Sequence, residues 1–378
     1  MKDFIKNVFA NIVAILLIGI VLFGFIVLFF VASAMSSDQK PYVDSNSVLT
    51  LNFNGNVIDS YTEKEESIFD FGQSKDVLLL DVINAINNAK NDEKIKGISI
   101  EVDELPAGIT QVDDIRASIE DFKKSGKFVY AYGNNMSQKS YYLASVADKV
   151  YLNPVGMIEL KGMSTEVTFL KDFAAKYGIG VDVIRHGKFK AAVEPFIRND
   201  ISPENKEQLS TLLNDIWGNI STKIKASRKL DDATFKTAVD SLYGFMPELV
   251  VKNKLADQLL QKSEYENLIK KQLKLKSDEK INRISVNKYI NALDEEESND
   301  NKIAILYAAG EIFNGDEYQN IHSEKYVEYI KDLAEDDDIK AVVLRVNSPG
   351  VSGNASDEIL FELQQLKLKK PLVVSFGD

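Results

Sequence analysis

The residues from Val183 to Asp200 read Val-Ile-Arg-His-Gly-Lys-Phe-Lys-Ala-Ala-Val-Glu-Pro-Phe-Ile-Arg-Asn-Asp, and they hold the chain's strongest candidate for chemistry. Lys190 stands between Phe189 and the small apolar run Ala191, Ala192, Val193. Apolar surroundings disfavour an ammonium charge and so favour the neutral amine, which can accept a proton. Lys190 is therefore a candidate general base. The simpler reading is a surface lysine whose stem lies over an apolar patch.

A second candidate is the turn Asn347-Ser348-Pro349-Gly350, directly after the apolar run Ala341–Val346, which reads as a buried strand. A Ser-Pro-Gly turn at a strand end exposes backbone N–H groups, and two such donors can hold the anion of a tetrahedral intermediate. An ordinary turn is the simpler reading. Cysteine is absent, so no disulfide and no cysteine zinc site contributes. The two histidines, His186 and His322, are too far apart in sequence to suggest a metal cluster.

The run Gly187-Lys188-Phe189-Lys190-Ala191-Ala192-Val193-Glu194-Pro195-Phe196 resembles the signature of the long-form signal peptide peptidase A (protease IV) family, peptidase family S49. The resemblance extends from the apolar N-terminal stretch to Asp378. It implies a membrane-bound serine endopeptidase of the Ser-Lys dyad type that degrades cleaved signal peptides. In that dyad Lys190 is the general base. In this family and the wider Clp protease/crotonase superfamily, Asn-Ser-Pro-Gly-Gly supplies the oxyanion hole. Its place here is held by Asn347 to Val351, which implies Gly350 and Val351 as the donors. Valine in place of the second glycine is a departure, because a β-branched residue tolerates positive φ poorly.

The family's nucleophile comes in an Ala-Ser-Gly-Gly-Tyr segment after the next helix and strand. Those elements are expected at Asp357–Lys369 and Leu372–Phe376, which puts the nucleophilic serine just past Asp378. The chain thus reads as C-terminally truncated, and Ser352 occupies the oxyanion turn and not the nucleophile's place. The resemblance also implies a homotetramer and signal peptides or other membrane-released peptides as substrate. It implies no metal and no cofactor.

The surrounding elements fit such a protein. Ile12–Met35 is 24 residues without charge or proline. As a helix it would reach about 36 Å, enough to span a hydrocarbon core of about 30 Å. Ala32-Ser33-Ala34 resembles a signal cleavage site, but the run exceeds the roughly 7–15 apolar residues of a signal peptide. An uncleaved single-pass anchor is expected. Lys2 and Lys6 before it put the N-terminus in the cytoplasm and the remainder on the outer, periplasmic side of a bacterial inner membrane. A net charge of −12 argues against binding to nucleic acid or anionic lipid surfaces.

From Val48 strand and helix patterns alternate: strands at Val48–Gly55, Ile95–Val102, Phe128–Tyr132 and Val150–Leu152, helices at Asp81–Lys90, Val112–Lys124 and Tyr141–Ala147. This alternation predicts a parallel sheet with crossover helices. Ser202-Pro203-Glu204 is a helix start, and a long helix is expected from there to Arg228, with two or three more to about Leu275.

The pattern then starts again. Ile303–Gly310 echoes Val48–Gly55, Ile339–Asn347 lines up without a gap on Ile95–Asp103 at an offset of 244, and Lys370–Ser375 echoes Lys127–Tyr132. Gln138, in Met136-Ser-Gln-Lys-Ser-Tyr-Tyr142, stands where the first copy would carry a nucleophile, and an amide cannot act as one. The expected fold is α/β: an N-terminal transmembrane helix followed by duplicated Clp/crotonase-like domains, the second incomplete. The expected organisation is residues 1–40 for cytoplasmic N-terminus and anchor, 46–290 for the first repeat with the base lysine, 291–301 for an acidic linker and 302–378 for the partial second repeat.

Two other readings keep parts of this pattern. An inactive, truncated peptidase-like membrane protein keeps the fold and drops the chemistry. A crotonase-type acyl-CoA enzyme uses the same kind of oxyanion turn, but the anchor, the duplication and the Lys190 segment speak against it.

Overall fold

The computed structural model describes residues 1–37, 40–53, 55–60, 76–293, 301–317 and 319–378. It opens with helix α1 (Lys2–Ser37), whose segment Lys6–Phe25 is long and apolar enough to cross a membrane and is not packed against the rest of the chain. That segment begins earlier than the expected Ile12, since lysine is a good helix former and Lys2 and Lys6 continue the helix.

Next come β1 (Ser47–Leu51), the short β2 (Val57–Ile58) and β3 (Val77–Leu78), α2 (Leu79–Asn91), β4 (Ile95–Ile100), α3 (Ile109–Lys123), β5 (Phe128–Met136), α4 (Gln138–Ala144) and β6 (Lys149–Ile158). Then follow α5 (Lys171–Lys176), α6 (Glu194–Ile197), α7 (Pro203–Arg228), α8 (Asp232–Asp240), α9 (Pro247–Lys252), β7 (Gln258–Leu259), α10 (Lys262–Gln272), β8 (Asn282–Ser285) and α11 (Val286–Ala292). The remainder is β9 (Lys302–Ala309), β10 (Ile312–Phe313), β11 (Ile321–His322), α12 (Ser323–Glu335), β12 (Ile339–Asn347), α13 (Gly353–Lys369) and β13 (Leu372–Phe376).

The first sheet has the order β7-β6-β5-β4-β1-β8, and its neighbours are all parallel. Strands β1 and β4 are apolar runs because both faces of the sheet are covered. Leu49, Ile98 and Val129 meet Val82 and Ile86 of α2 and Ile115 of α3 in one core. On the other face Val48, Tyr132 and Tyr151 pack with Tyr265 of α10. The second sheet, β13-β12-β9, is also parallel and repeats the order β5-β4-β1. The small pairs repeat too: β2 with β3, and β10 with β11. Helices α12 and α13 pack on each other, while Ile303, Val373 and Phe376 stay exposed.

Strand β8 and helix α11 are among several elements with no expectation behind them, as are the short strand pairs and α12. Asn282-Arg-Ile-Ser285 is short and mostly polar, so it carries no periodicity, yet it pairs with β1 at the sheet edge. Helix α11 reaches Ala292, past the expected boundary at 290. The acidic run 294–300 lies outside the described residues.

Helix α7 carries the next part of the chain outward from this core. Ser202 caps it, accepting from the Asn205 N–H at 3.1 Å, and Pro203 stands at its first turn, where a missing N–H costs nothing. Its C-terminal half is fastened by Arg116 of α3. The buried guanidinium donates to Ser227 Oγ at 2.6 Å and Lys223 O at 3.2 Å on α7, to Ser145 Oγ at 2.8 Å, and to the Tyr142 carbonyl.

Candidate active site

Lys190 lies on an arm, between β6 and α7, that leaves the sheet. The arm folds on itself through α5 and α6: the Leu170 N–H donates to Pro195 O at 2.6 Å, and Asn199 Nδ2 donates to Asp172 Oδ1 at 2.9 Å. Its large apolar side chains point outward; Ile184 is fully exposed and Phe189 is 54% exposed. Lys190 is itself exposed. The apolar enclosure expected around Lys190 is therefore not supplied by the described residues. The neighbours have the expected types, but no described residue covers them, so they face solvent.

What is buried on the arm is a carboxylate. Glu194 is 0% exposed, and its Oε2 accepts from Asn205 Nδ2 at 3.1 Å and from the Ser202 N–H at 3.3 Å, at the start of α7. Burial alone would raise its pKa. The hydrogen bonds from Ser202 and Asn205 and the charge of Arg198 outweigh that and hold it below the ordinary glutamate value. Its Oε1 has no hydrogen-bond partner among the described residues, and Arg185 Nη1 lies 4.0 Å away. The same Arg185 nitrogen donates to the Lys190 carbonyl at 3.2 Å.

The strand-end turn is built on different principles. Gly350 has φ 92° and Val351 φ 127°, the second a region that L side chains rarely occupy. Val351 thus sits at a positive φ that glycine adopts readily and a β-branched residue does not. Five contacts hold it there. The Ile312 N–H donates to Gly350 O at 2.8 Å, the Ser352 N–H to Ile312 O at 3.0 Å, and the Gly310 N–H to Asn347 O at 3.0 Å. Ser352 Oγ donates to Asn314 Oδ1 at 2.9 Å and caps α13, accepting from the Ala355 N–H at 3.3 Å. The Gly350 N–H reaches Ser348 Oγ at 3.1 Å, whereas the Val351 N–H makes no hydrogen bond among the described residues.

The first repeat has the same turn without this opening. There the Val57 N–H donates to Pro106 O at 2.9 Å, the counterpart of the bond from Ile312 to Gly350. Ala107 stands at the place of Val351, has no positive φ, and its N–H bonds back to Leu105 O at 2.9 Å. Gln138, at the start of α4, uses its whole amide for structure: Oε1 accepts from the N–H groups of Lys161 and Gly162 at 3.1 and 3.0 Å, and Nε2 donates to Gly162 O at 3.0 Å.

Arg345 of β12 contacts the first repeat at Asp59, just after β2. Its Nε lies 3.2 Å from Asp59 Oδ2, and its Nη1 donates to Ser375 Oγ at 2.9 Å and Phe376 O at 3.0 Å. No hydrogen bond or ion pair joins Lys190 to Gly350 or Val351 among the described residues. Sequence reasoning missed Arg185, Glu194 and Arg345. The one signal available was a charged Glu194 inside the otherwise apolar run from Ala191 to Ile197.

These features define a mixed α/β protein: one apolar N-terminal helix, a parallel-sheet unit that occurs twice, a lysine-bearing arm and an open strand-end turn. Residues 121–276 match the model of peptidase family S49, a range that includes Lys190. It is 31% identical to Protease 4 of Haemophilus influenzae over 96% of its own length and 62% of that protein. To Protease 4 of Salmonella typhi it is 35% identical, over 81% of this chain and 52% of the other. To the chloroplastic serine protease SPPA of Arabidopsis thaliana it is 30% identical, over 89% and 50%. The chain thus spans about half to three-fifths of the length of these relatives. A solved membrane-bound stomatin-specific protease aligns over 59% of this chain and 84% of its own, at 11% identity and a TM-score of 0.34, too low to argue from. The apolar helix and the Protease 4 relatives fit a membrane-anchored protein.

Proposed function

We propose that this chain supplies the base and the oxyanion donors of a membrane-anchored serine endopeptidase of the Ser-Lys type. Its substrates are signal peptides and other peptides released at the membrane. The observation that carries this reading is Val351. A β-branched residue at φ 127° costs about 1–3 kcal/mol, and the strain goes with an N–H at a strand end that has no partner among the described residues. The matching N–H of Ala107 is satisfied internally.

In this mechanism Lys190, as the neutral amine, takes the proton of a serine hydroxyl as its oxygen attacks the peptide carbonyl. The oxyanion is received by the N–H groups of Val351 and Gly350, the latter released from Ser348 Oγ. Lys190 returns the proton to the departing amine, leaving an ester on the serine. Water, deprotonated by the same lysine, then hydrolyses that ester. The serine is the one that the family's order places in the segment after the strand corresponding to β13. The repeats are Clp/crotonase-like units, the boundaries lie near 290 and 302, and the enzyme works as a homotetramer outside the cytoplasmic membrane.

A second reading is an inactive peptidase-like subunit. It is favoured by the exposed Lys190 and by the capture of the Gly350 N–H by Ser348 Oγ. One experiment separates the two: residues 1–378 joined to the remaining part of the Haemophilus influenzae Protease 4, tested with a fluorophosphonate probe and a fluorogenic peptide. The proposal expects labelling and hydrolysis that Lys190→Ala abolishes and Lys188→Ala largely keeps. Equal loss at both lysines, or no labelling at all, would favour the inactive subunit.

A further inference from the structure

We infer that Arg185 and Glu194 are positioning residues that set the backbone carrying Lys190. This inference rests on the proposed role of Lys190 as base. The contacts form a continuous chain from the core outward. Arg116 binds the C-terminal half of α7 to α3, and the N-terminal turn of α7 holds the Glu194 carboxylate through Asn205 Nδ2 and the Ser202 N–H. Glu194 in turn faces Arg185, and Arg185 Nη1 grips the Lys190 carbonyl at 3.2 Å. Lys190 has no apolar enclosure of its own, so this relay is what ties its backbone to a rigid element.

The chemistry explains the choice of residues. A guanidinium presents several donors in a fixed plane, so one group can face a carboxylate and a carbonyl together, which an ammonium does poorly. A carboxylate at the first turn of a 26-residue helix is favoured by the helix dipole and can be buried ionised. Glu194 stands four residues after Lys190, and with Arg185 facing it the lysine need not serve as its partner. A lysine salt-bridged to a carboxylate would hold its proton and make a poor base. The unpartnered Oε1 marks the side on which Arg185 approaches.

The test uses two readouts. In the 1–378 chain purified in detergent, amide exchange at residues 186–193 is expected to speed up about tenfold in Arg185→Ala and in Glu194→Ala. Exchange in the C-terminal half of α7 should be unchanged, and the double variant should be no faster than either single one, since both break the same relay. Arg185→Ala removes a half-exposed side chain and so stays informative if Glu194→Ala fails to fold. In the active fusion with the Protease 4 remainder, both variants should lower kcat by up to ~10²-fold with KM nearly unchanged, and Arg185→Lys should restore only part of it. Unaltered exchange at 186–193, or faster exchange with unchanged kcat, overturns the inference. Retained activity in Lys190→Ala would instead sink the proposed function, and exchange alone would then decide the relay.

Discussion

Arg345 of the second sheet and Asp59 of the first repeat form a buried ion pair, Nε to Oδ2 at 3.2 Å, across 286 residues of chain. Both side chains are about nine-tenths buried, and Arg345 also bonds Ser375 and the Phe376 carbonyl. The guanidinium therefore links the β12–β13 pair to the first repeat through charge. Asp59 has a second anchor, accepting from Gln111 Nε2 at 3.1 Å.

Removing Arg345 leaves the Asp59 carboxylate buried without its cation, and removing Asp59 leaves the guanidinium with only the more distant Asp114, at 3.6 Å. Arg345→Ala and Asp59→Ala should each destabilise the contact between the repeats by about 3–5 kcal/mol. Arg345→Met with Asp59→Leu should recover much of that loss. Limited proteolysis after Ala292 is the measurement: the single variants should release the C-terminal part quickly and the double variant slowly. Equal protection in all of them would mean that the pair holds nothing.

The strain at Val351 makes a prediction of the opposite sign. Val351→Gly relaxes a backbone already at φ 127° and should raise thermal stability by about 1 kcal/mol. Ser352→Ala removes both the cap of α13 and the bond to Asn314, and should cost about 0.5–2 kcal/mol. Thermal unfolding of the two variants checks both. A destabilised Val351→Gly would show that the valine side chain contributes packing that offsets its strain.

Glu101 predicts a pH dependence. Burial pushes its carboxyl up, but Arg283 at 2.7 Å, Lys262 and Ser99 outweigh that and hold its pKa below the ordinary glutamate value. A carboxylate with a depressed folded pKa adds stability above the unfolded value, and this is lost as pH falls through the folded value. Glu101→Gln should thus be less stable than the parent at pH 7 by about 1–3 kcal/mol. The gap should start to close below about pH 4.5, the ordinary value, and vanish once the parent carboxyl is protonated. Chemical denaturation at a series of pH values measures it, and a gap that persists at the acid end would contradict the assignment.

Lys2 and Lys6 at the start of α1 predict an N-terminus in the cytoplasm. A phosphatase reporter, active only outside the cytoplasm, should work when fused after Gln39, and a reporter active only in the cytoplasm should stay silent. The reverse pattern would turn the protein over in the membrane.

Much of this protein was determined locally and could be read without coordinates. Ser202 and Pro203 mark the start of α7 because capping involves only neighbouring groups, and the helix runs to Arg228 as expected. The strand Ile95–Ile100 declares itself as an apolar run because a parallel sheet covered on both faces demands one, and Ile339–Asn347 repeats its pattern. The segment around Lys190 is legible as a string of residue types. Tertiary structure alone decided what covers what. Periodicity reports which side of an element is apolar, but it does not say which distant element meets it. Hence Lys190 turned out exposed and Glu194 buried, four residues apart, because α7 offers its first turn to one and nothing described packs over the other. The pairing of Arg345 with Asp59 and the bond from Arg185 to the Lys190 carbonyl are likewise set by where whole elements dock, and neither leaves a mark in sequence spacing.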